Sequence, residues 1–360
     1  MKYTFENIKV LYLGFNSMLK HKRGVENVID FQSRANNCGI SYYIHWDTKT
    51  SVYRYRQFLC IGIKANFLKY LVLNWLIIRI KRKEKVIFIH SHNTLMSINC
   101  IFQTNLLTVH DALYYQNSVN KHKLKSVFYL LEKFLYKRVD FVHFISKFSK
   151  KMSLFPNSEN YIIIPNTSHL ENYCPEIAPK LNDVLLPDFN ANKTNIFVVR
   201  SMEERSRIDL LVKLAEQIKD SNFEIFIAGK GPLYDAYSTQ IEIFNLNNIK
   251  LLGYISDSSL MKYYAACDIV LMPADYAEGF GLPIIEGYLF NKPVIASNRC
   301  AIPEVIISKE FLFDNSVESI IDKLEFAKLK RHGPYREFYN DTFSNTTILN
   351  QFGTLYKKLM

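Results

Sequence analysis

The sequence has no Cys-x-x-Cys pair. Its six cysteines, Cys38, Cys60, Cys100, Cys174, Cys267 and Cys300, are scattered over 360 residues. That spacing indicates neither a zinc knuckle nor a disulfide framework, and it makes a reducing compartment the default. No apolar run is long enough to span a bilayer: the longest, Phe67 to Ile80, is interrupted by Lys69, Asn74 and Arg79. Met1 to Phe15 carries Lys2 and Glu6 and only a short apolar run from Val10, without a small-residue cleavage site. It reads as a first strand rather than a signal peptide, which predicts a protein made and kept in the cytosol. Internal repeats and low-complexity segments are absent as well. Gly229-Lys230-Gly231-Pro232 lacks the third glycine and following helix that a dinucleotide fingerprint needs.

What is present is ordinary globular composition, 48% hydrophobic and 22% charged, in a length that suits about two domains. Charge is unevenly placed. Residues 1–180 hold 26 Lys+Arg against 11 Asp+Glu, and the remainder 19 against 23, so the whole excess of +11 lives in the first half. An anionic membrane surface or an anionic acceptor would explain it. A nucleic acid would too, but the basic half contains no recognisable reading module, so no nucleic-acid partner is expected.

One stretch organises the rest: Asp275-Tyr276-Ala277-Glu278-Gly279-Phe280-Gly281-Leu282-Pro283-Ile284-Ile285-Glu286. Asp268 to Met272 before it is a short apolar run that reads as a buried parallel strand, and Leu282 to Phe290 has helical length, with glycines and Pro283 at its opening. Strand, glycine loop and helix together make a place to hold an anion. Orphan N–H groups and the positive end of the helix dipole would let the amides from Gly279 to Leu282, Phe280 among them, cradle a phosphate. Glu286, one turn into the helix, is placed to accept bonds from a vicinal diol such as a ribose. Glu278 stands in the loop and faces whatever lies beyond the phosphate.

These residues, with Pro293-Val294-Ile295-Ala296 and Pro303-Glu304-Val305 after them, resemble the signature of glycosyltransferase family 4, the large retaining group with the GT-B fold. The resemblance implies a nucleoside-diphosphate sugar as donor, with no cofactor, no side-chain nucleophile and no metal. The absence of any Asp-x-Asp sequence agrees. It is strong from Ala228 to Val305 and weaker before Arg200.

In chain order, Ile8 to Gly14 reads as strand one, and Gly24 opens a helix toward Ala35. The family's Gly-Gly pair near the donor diphosphate is Arg23-Gly24 here, so Gly24 is a donor-side candidate while Arg23 departs from the pattern. Phe67 to Ile80, followed by Arg79, Lys81, Arg82, Lys83 and Lys85, reads either as a buried helix with a solvated basic end or as a patch that docks on anionic lipid. Leu106 to Val109 is a strand ending in His110-Asp111. Ligands bind outside the carboxyl ends of parallel strands, and the resemblance gives His110 a contact with the sugar or acceptor. Lys121 to Lys125, Lys133, Lys137 and Arg138 extend the basic character. Tyr161 to Asn166 is a further strand and loop, with Thr167 where the family has glycine.

Cys174 to Lys193, with three prolines, reads as an interdomain linker. Asn195 to Val199 starts the second domain. Arg200 after it matches the family's first diphosphate cation. The second is Arg205 by spacing, with Arg207 in competition; an arginine in place of the family's lysine binds phosphate bidentately. Residues 298–302 replace a glycine pair in the loop expected to face the sugar.

The reading is an α/β protein of GT-B type, two Rossmann-like parallel-sheet domains facing across a cleft. The boundaries are 1–180 for acceptor binding, 190–342 for the nucleotide sugar, and 343–360 for a helix crossing back to the first domain. Glu278 and His110 would be catalytic; Arg200, Arg205, Gly24, the Gly279–Leu282 loop and Glu286 would bind the donor. The acceptor is a glycan or lipid-linked hydroxyl, and the site of work the cytoplasm or the inner face of a membrane. A sugar-nucleotide epimerase or phosphorylase of the same fold and a non-catalytic sugar-nucleotide scaffold are the alternatives.

Overall fold

Near-continuous apolar runs of four to seven residues, such as Val10–Leu13 and Ile269–Met272, are buried on both faces. Such runs pair in parallel, because the connecting helices cover both sides of the sheet. The computed structural model describes residues 8–20, 24–35, 39–84, 86–110, 112–119, 123–156, 158–173, 189–190 and 192–360. Arg23, Lys85, Asp111, Lys121, His122, Cys38, Cys174 and most of the linker segment 174–193 lie outside them. The chain divides into two compact units, Met1–Asn166 with Ile348–Met360, and Thr167–Thr347. The division falls ahead of the proline-bearing segment, because Ser168 and Glu171 bond to Glu286, Tyr339 and Asn345 of the second unit.

The strands of the first unit are β1 (Ile8–Leu13), β2 (Ser41–Asp47), β3 (Ser51–Tyr55), β4 (Phe58–Lys64), β5 (Val86–Ser91), β6 (Thr104–Val109), β7 (Val139–Phe144) and β8 (Tyr161–Ile163). They form one sheet in the order β3-β4-β2-β1-β5-β6-β7-β8, parallel except for β3, which returns antiparallel on β4. That hairpin has no counterpart in the sequence reading, since its turn uses Arg56 at φ 50° instead of glycine or asparagine.

The helices Gly24–Ser33 and Asn345–Leu359 pack on one face of the sheet, against Val10, Tyr12, Phe88, Leu106 and Phe141. The helices Lys69–Lys83 and Lys125–Tyr136 pack on the other, over Leu11, Leu13 and Ile89 and over Leu107, Val109, Val142 and Phe144. The first of these corrects the expectation of a buried helix. Only Leu73, Ile77 and Ile80 of Lys69–Lys83 are buried, whereas Leu71 and Trp75 are 69% and 53% exposed and Phe67, just ahead of it, 90%. The sheet covers one side of a helix that is apolar on both.

The second unit holds β9 (Thr194–Val199), β10 (Phe223–Ala228), β11 (Ile249–Gly253), β12 (Ile269–Met272), β13 (Val294–Ser297) and β14 (Leu312–Phe313), ordered β11-β10-β9-β12-β13-β14. The pairings are parallel. The chain enters at the central β9, builds outward through β10 and β11, then returns to β12 on the other side. The strand order therefore reverses between β9 and β12, which is where open α/β sheets leave a crevice at their carboxyl ends.

The last helix is locked into the first unit by one hydroxyl. Tyr356 Oη lies 2.9 Å from Tyr12 Oη and 2.8 Å from His90 Nδ1, all buried. Replacing Tyr356 by Phe leaves both partners without it inside the core, and urea unfolding is expected to show a loss of about 1–3 kcal/mol. A change within error would mean that the hydroxyl contributes nothing to holding the helix.

Candidate functional site

Two loops border the reversal point of the second sheet. Arg200 directly follows β9, its backbone N–H donating to Ala228 O at 3.0 Å. The turn after β10 packs so closely on it that a Cβ on Gly229 would lie 1.9 Å from Arg200 O, and one on Gly231 2.5 Å from Met202 O. Glycine is required at both positions, which gives a physical role to a turn too short for a nucleotide fingerprint. The other loop, residues 273–281, follows β12. Arg200 Nη1 donates across to Glu278 Oε2 at 2.7 Å, with side chains only 9% and 13% exposed. Arg200 Nε and Nη2 are buried and have no hydrogen-bond partner. A guanidinium is thus held in place by one carboxylate while its remaining donors stay unmet.

The helix Leu282–Leu289 begins beside this pair. Gly281 caps it in the left-handed region at φ 102°, and Pro283 stands in its first turn. That start leaves first-turn N–H groups and the positive dipole end at the loop. The glycine-loop residues take different parts: Gly279 and Leu282 are partly exposed, whereas the Phe280 ring is buried edge-on to Phe343 at 6.0 Å. The Phe280 side chain therefore anchors the loop.

Arg205 and Arg207, alternatives in the sequence, separate in the structure. Arg205 Nε donates to Glu203 at 2.9 Å, and Nη1 reaches over to Ala277 O at 3.1 Å. Asp275 N donates back to Arg205 O at 2.9 Å, so this arginine ties the two loops together. Arg207 binds Asp209 through two donors at 3.0 and 3.1 Å and stands at φ 51° ahead of the next helix. Ala277 and Cys300 also adopt left-handed φ, 55° and 53°. Such backbone is costly for residues with a Cβ and gathers at functional sites.

Glu286 is buried one turn further on. Its Oε1 accepts from Ser168 Oγ at 3.3 Å and its Oε2 from Tyr264 Oη at 2.8 Å. Burial raises its pKa, against the pull of His169 and these two hydroxyls. Each carboxylate oxygen retains one lone pair for another donor. Ser168 and Tyr264 were not found from sequence; both contacts join segments far apart in the chain.

In the first unit, His110 follows β6 and is itself half-buried, against a group of buried rings. Its Nε2 lies 3.0 Å from His92 Nδ1. His90 and His143 sit alongside, joined through Thr108 Oγ1 at 2.8 and 3.0 Å. Burial, with the neighbouring His143, lowers the His110 pKa to about 3, and burial brings His143 to about 4. His90 and His92 are driven well down by burial and by the other rings. His110 is therefore a neutral imidazole whose two nitrogens split into one donor and one acceptor, with the tautomers of His92 and His110 set jointly by the bond between them. Histidines at the carboxyl ends of neighbouring strands β5, β6 and β7 were the signal available for the group. Among the described residues no set of three or more His, Cys, Asp or Glu is placed to hold a metal ion. Gly24 opens its helix at an exposed position where a Cβ would meet nothing within 4 Å, so sterics do not demand glycine there.

Arg200, Arg205, Glu278 and Gly279–Leu282 thus come together at one place in the second unit, with Glu286 one turn away. His110 and Gly24 belong to the first.

Residues 187–341 match the family model for glycosyl transferases group 1. A Klebsiella pneumoniae protein, an uncharacterized 41.2 kDa protein in the cps region, is 26% identical over 243 residues, 65% of either chain. The O-antigen chain mannosyltransferase B of Escherichia coli is 41% identical over 73 residues, 20% of this chain and 19% of its own. The chain therefore spans 65% of the first of these relatives and less of the second. Among solved structures, Anabaena HepE in complex with UDP superposes with a TM-score of 0.75 at 16% identity, over 97% of this chain and 100% of its own. The shared architecture is the GT-B fold.

The histidine group makes stability depend on acid. An unfolded histidine takes up its proton near pH 6.5, whereas the folded rings resist it, so below that pH the unfolded chain binds more protons and stability falls. Each excluded proton contributes a slope of about 1.4 kcal/mol per pH unit. Denaturant unfolding from pH 6.5 to 5 should show His110→Gln with a shallower slope than the parent; equal slopes would mean that His110 is not held neutral.

Proposed function

We propose that this chain, whose residues 187–341 match the family model for glycosyl transferases group 1, moves a sugar, with retention, from a nucleoside-diphosphate sugar to a hydroxyl of a glycan or lipid-linked acceptor, in surface polysaccharide or glycolipid synthesis. The observation that carries this reading is Arg200, a buried cation with Nε and Nη2 unmet beside the start of the helix Leu282–Leu289. A planar guanidinium with two free donors matches two phosphate oxygens. A diphosphate is the leaving group of a nucleotide sugar. As its bond to the anomeric carbon breaks, negative charge grows on the departing oxygen, and preorganised donors in a water-poor site stabilise that charge.

Arg200 and the amides from Gly279 to Leu282 would take the diphosphate, with Arg205 adding charge from the loop it ties down. Glu286 would accept the ribose hydroxyls through its remaining lone pairs. Glu278, the carboxylate held by Arg200, would orient the sugar in the second unit; in the first unit, His110 as a neutral hydrogen-bonding ring and Gly24 at its helix start are the candidates for sugar and donor contacts. The scheme invokes no cofactor and no metal. HepE, whose structure holds UDP, makes a uridine nucleotide the first donor to try, and the mannosyltransferase named for O-antigen chains supports a polysaccharide acceptor. Work on such an acceptor would put the protein in the cytoplasm, peripherally on the inner face of a membrane.

A thermal-shift panel of nucleotides and nucleotide sugars tests this, since a ligand selective for the folded state raises Tm. One diphosphate sugar and its free diphosphate should both raise it; no shift with any would overturn the reading. Arg200→Ala should weaken that diphosphate by about 10–100-fold in calorimetry. Glu278→Gln keeps an oxygen for Arg200 and should leave binding within a few-fold while turnover drops by about 100-fold or more. Near-normal turnover in Glu278→Gln would remove its assigned role.

A further inference from the structure

Surface helices ordinarily turn their polar side outward. Two helices of the first unit carry apolar side chains outward as well as inward. On and just ahead of Lys69–Lys83, the outward positions are Phe67, Leu71 and Trp75, followed by Arg79 and Arg82. On Lys125–Tyr136 they are Val127, Leu130 and Phe134, 46%, 66% and 48% exposed, between Lys123 and Lys137. Both stripes follow three- and four-residue spacing and end in cations.

The two stripes belong to one surface. Both helices cover the same side of the sheet, the first over β1, β2 and β4, the second over β6 and β7. The short helix Thr94–Asn99 lies between, and residues 99–101 stitch the row together. Asn74 Nδ2 donates to Asn99 O at 2.9 Å, Ile101 N donates to Asn74 Oδ1 at 2.8 Å, and Arg138 donates to Cys100 O. Leu95 and Ile101, 39% and 56% exposed, continue the apolar surface between the stripes.

Charge selects the occupant. The helix Lys69–Lys83 has five basic residues and no acidic one, and the single carboxylate of Lys125–Tyr136, Glu132, is buried against Tyr114, Tyr136 and Leu154. A second copy docked face to face would set cation against cation. An anionic surface would not. Arg79 lies 4.8 Å from the Trp75 ring and Arg138 5.7 Å from that of Phe134. An aromatic ring beside a guanidinium suits the boundary between lipid headgroups and acyl chains. Among the described residues no helix is long and apolar enough to cross a membrane, so the surface would lie on a bilayer rather than span it.

We propose that this face, built on Phe67, Leu71, Trp75, Val127, Leu130 and Phe134, seats the protein on an anionic lipid bilayer, with apolar side chains at headgroup depth and Arg79, Arg82, Lys123 and Lys137 on lipid phosphates. The proposal rests on the transferase reading only for the lipid-linked nature of the acceptor. It gives that acceptor a surface on which it is met.

The test is co-sedimentation of the full chain with vesicles of phosphatidylcholine alone and of phosphatidylcholine with a third of phosphatidylglycerol. The parent should pellet with the second and not the first, and rising salt should release it. Leu71→Glu with Trp75→Glu, and separately Leu130→Glu with Phe134→Glu, should each lower the partition coefficient about tenfold or more. These positions are exposed, so melting curves should stay near the parent's. No pelleting, equal pelleting on neutral vesicles, or pelleting unchanged in both variants would overturn the proposal. So would a lipid-free dimer that the same substitutions break, since a second copy would then cover the face. Nucleotide binding without vesicles reads the transferase assignment separately, so either idea can fail alone.

Discussion

The second unit depends on a buried arginine that its own protein only half satisfies. Arg200 keeps one bond, to Glu278 at 2.7 Å, and leaves Nε and Nη2 unmet. Each buried donor left unmade costs about 1–3 kcal/mol, and an uncompensated buried cation costs more, so this arrangement persists only because the surroundings fix it. Gly229 and Gly231 bring the β10 turn hard against the Arg200–Met202 backbone, Arg205 ties its loop to Ala277 and Asp275, and Gly281 turns the chain into the helix. An anion that accepts from the unmet donors removes the penalty. Binding such a ligand would therefore stabilise the unit.

The same pair explains how a glutamate could stand at the proposed phosphate site. A free carboxylate there would repel the ligand. Held on Nη1, the Glu278 charge is balanced by the guanidinium, whose other edge stays available, so one arginine serves the carboxylate and the anion together. Losing the carboxylate would free the guanidinium to rotate, which is why its role is read from turnover with the isosteric amide.

Local features made much of this legible in the sequence. Glu278 to Glu286 could be read because glycine and proline punctuate a strand and a helix at short range, and Arg200 because the loop after an apolar run resembles the family's diphosphate-binding loop. What could not be read involves partners far away in the chain: Ser168 and Tyr264 on Glu286, His92 on His110, Tyr356 on His90. The reversal of strand order between β9 and β12 is likewise a property of pairing and not of any one segment. Phe280 shows the limit within the motif itself, since spacing located the residue but not the inward turn of its ring. The helix Lys69–Lys83 failed in another way. A segment apolar on nearly every side says that it can be buried, while the number of neighbours available to bury it is set by the sheet, and this sheet covers one face.

Charge completes the division of labour. Residues 181–360 carry 19 basic against 23 acidic residues, so an affinity of the second unit for an anion would not come from its net field. It would have to come from a few aimed donors, which count for more where water is excluded. The excess of the first half is spread along exposed helices, where single charges are screened within about 8–10 Å and contribute little one at a time. Such charge acts on something as broad as itself. The proposed donor site and the proposed lipid face would thus meet two kinds of anion with different physics, a small one by directed geometry and an extended one by accumulated charge beside apolar side chains.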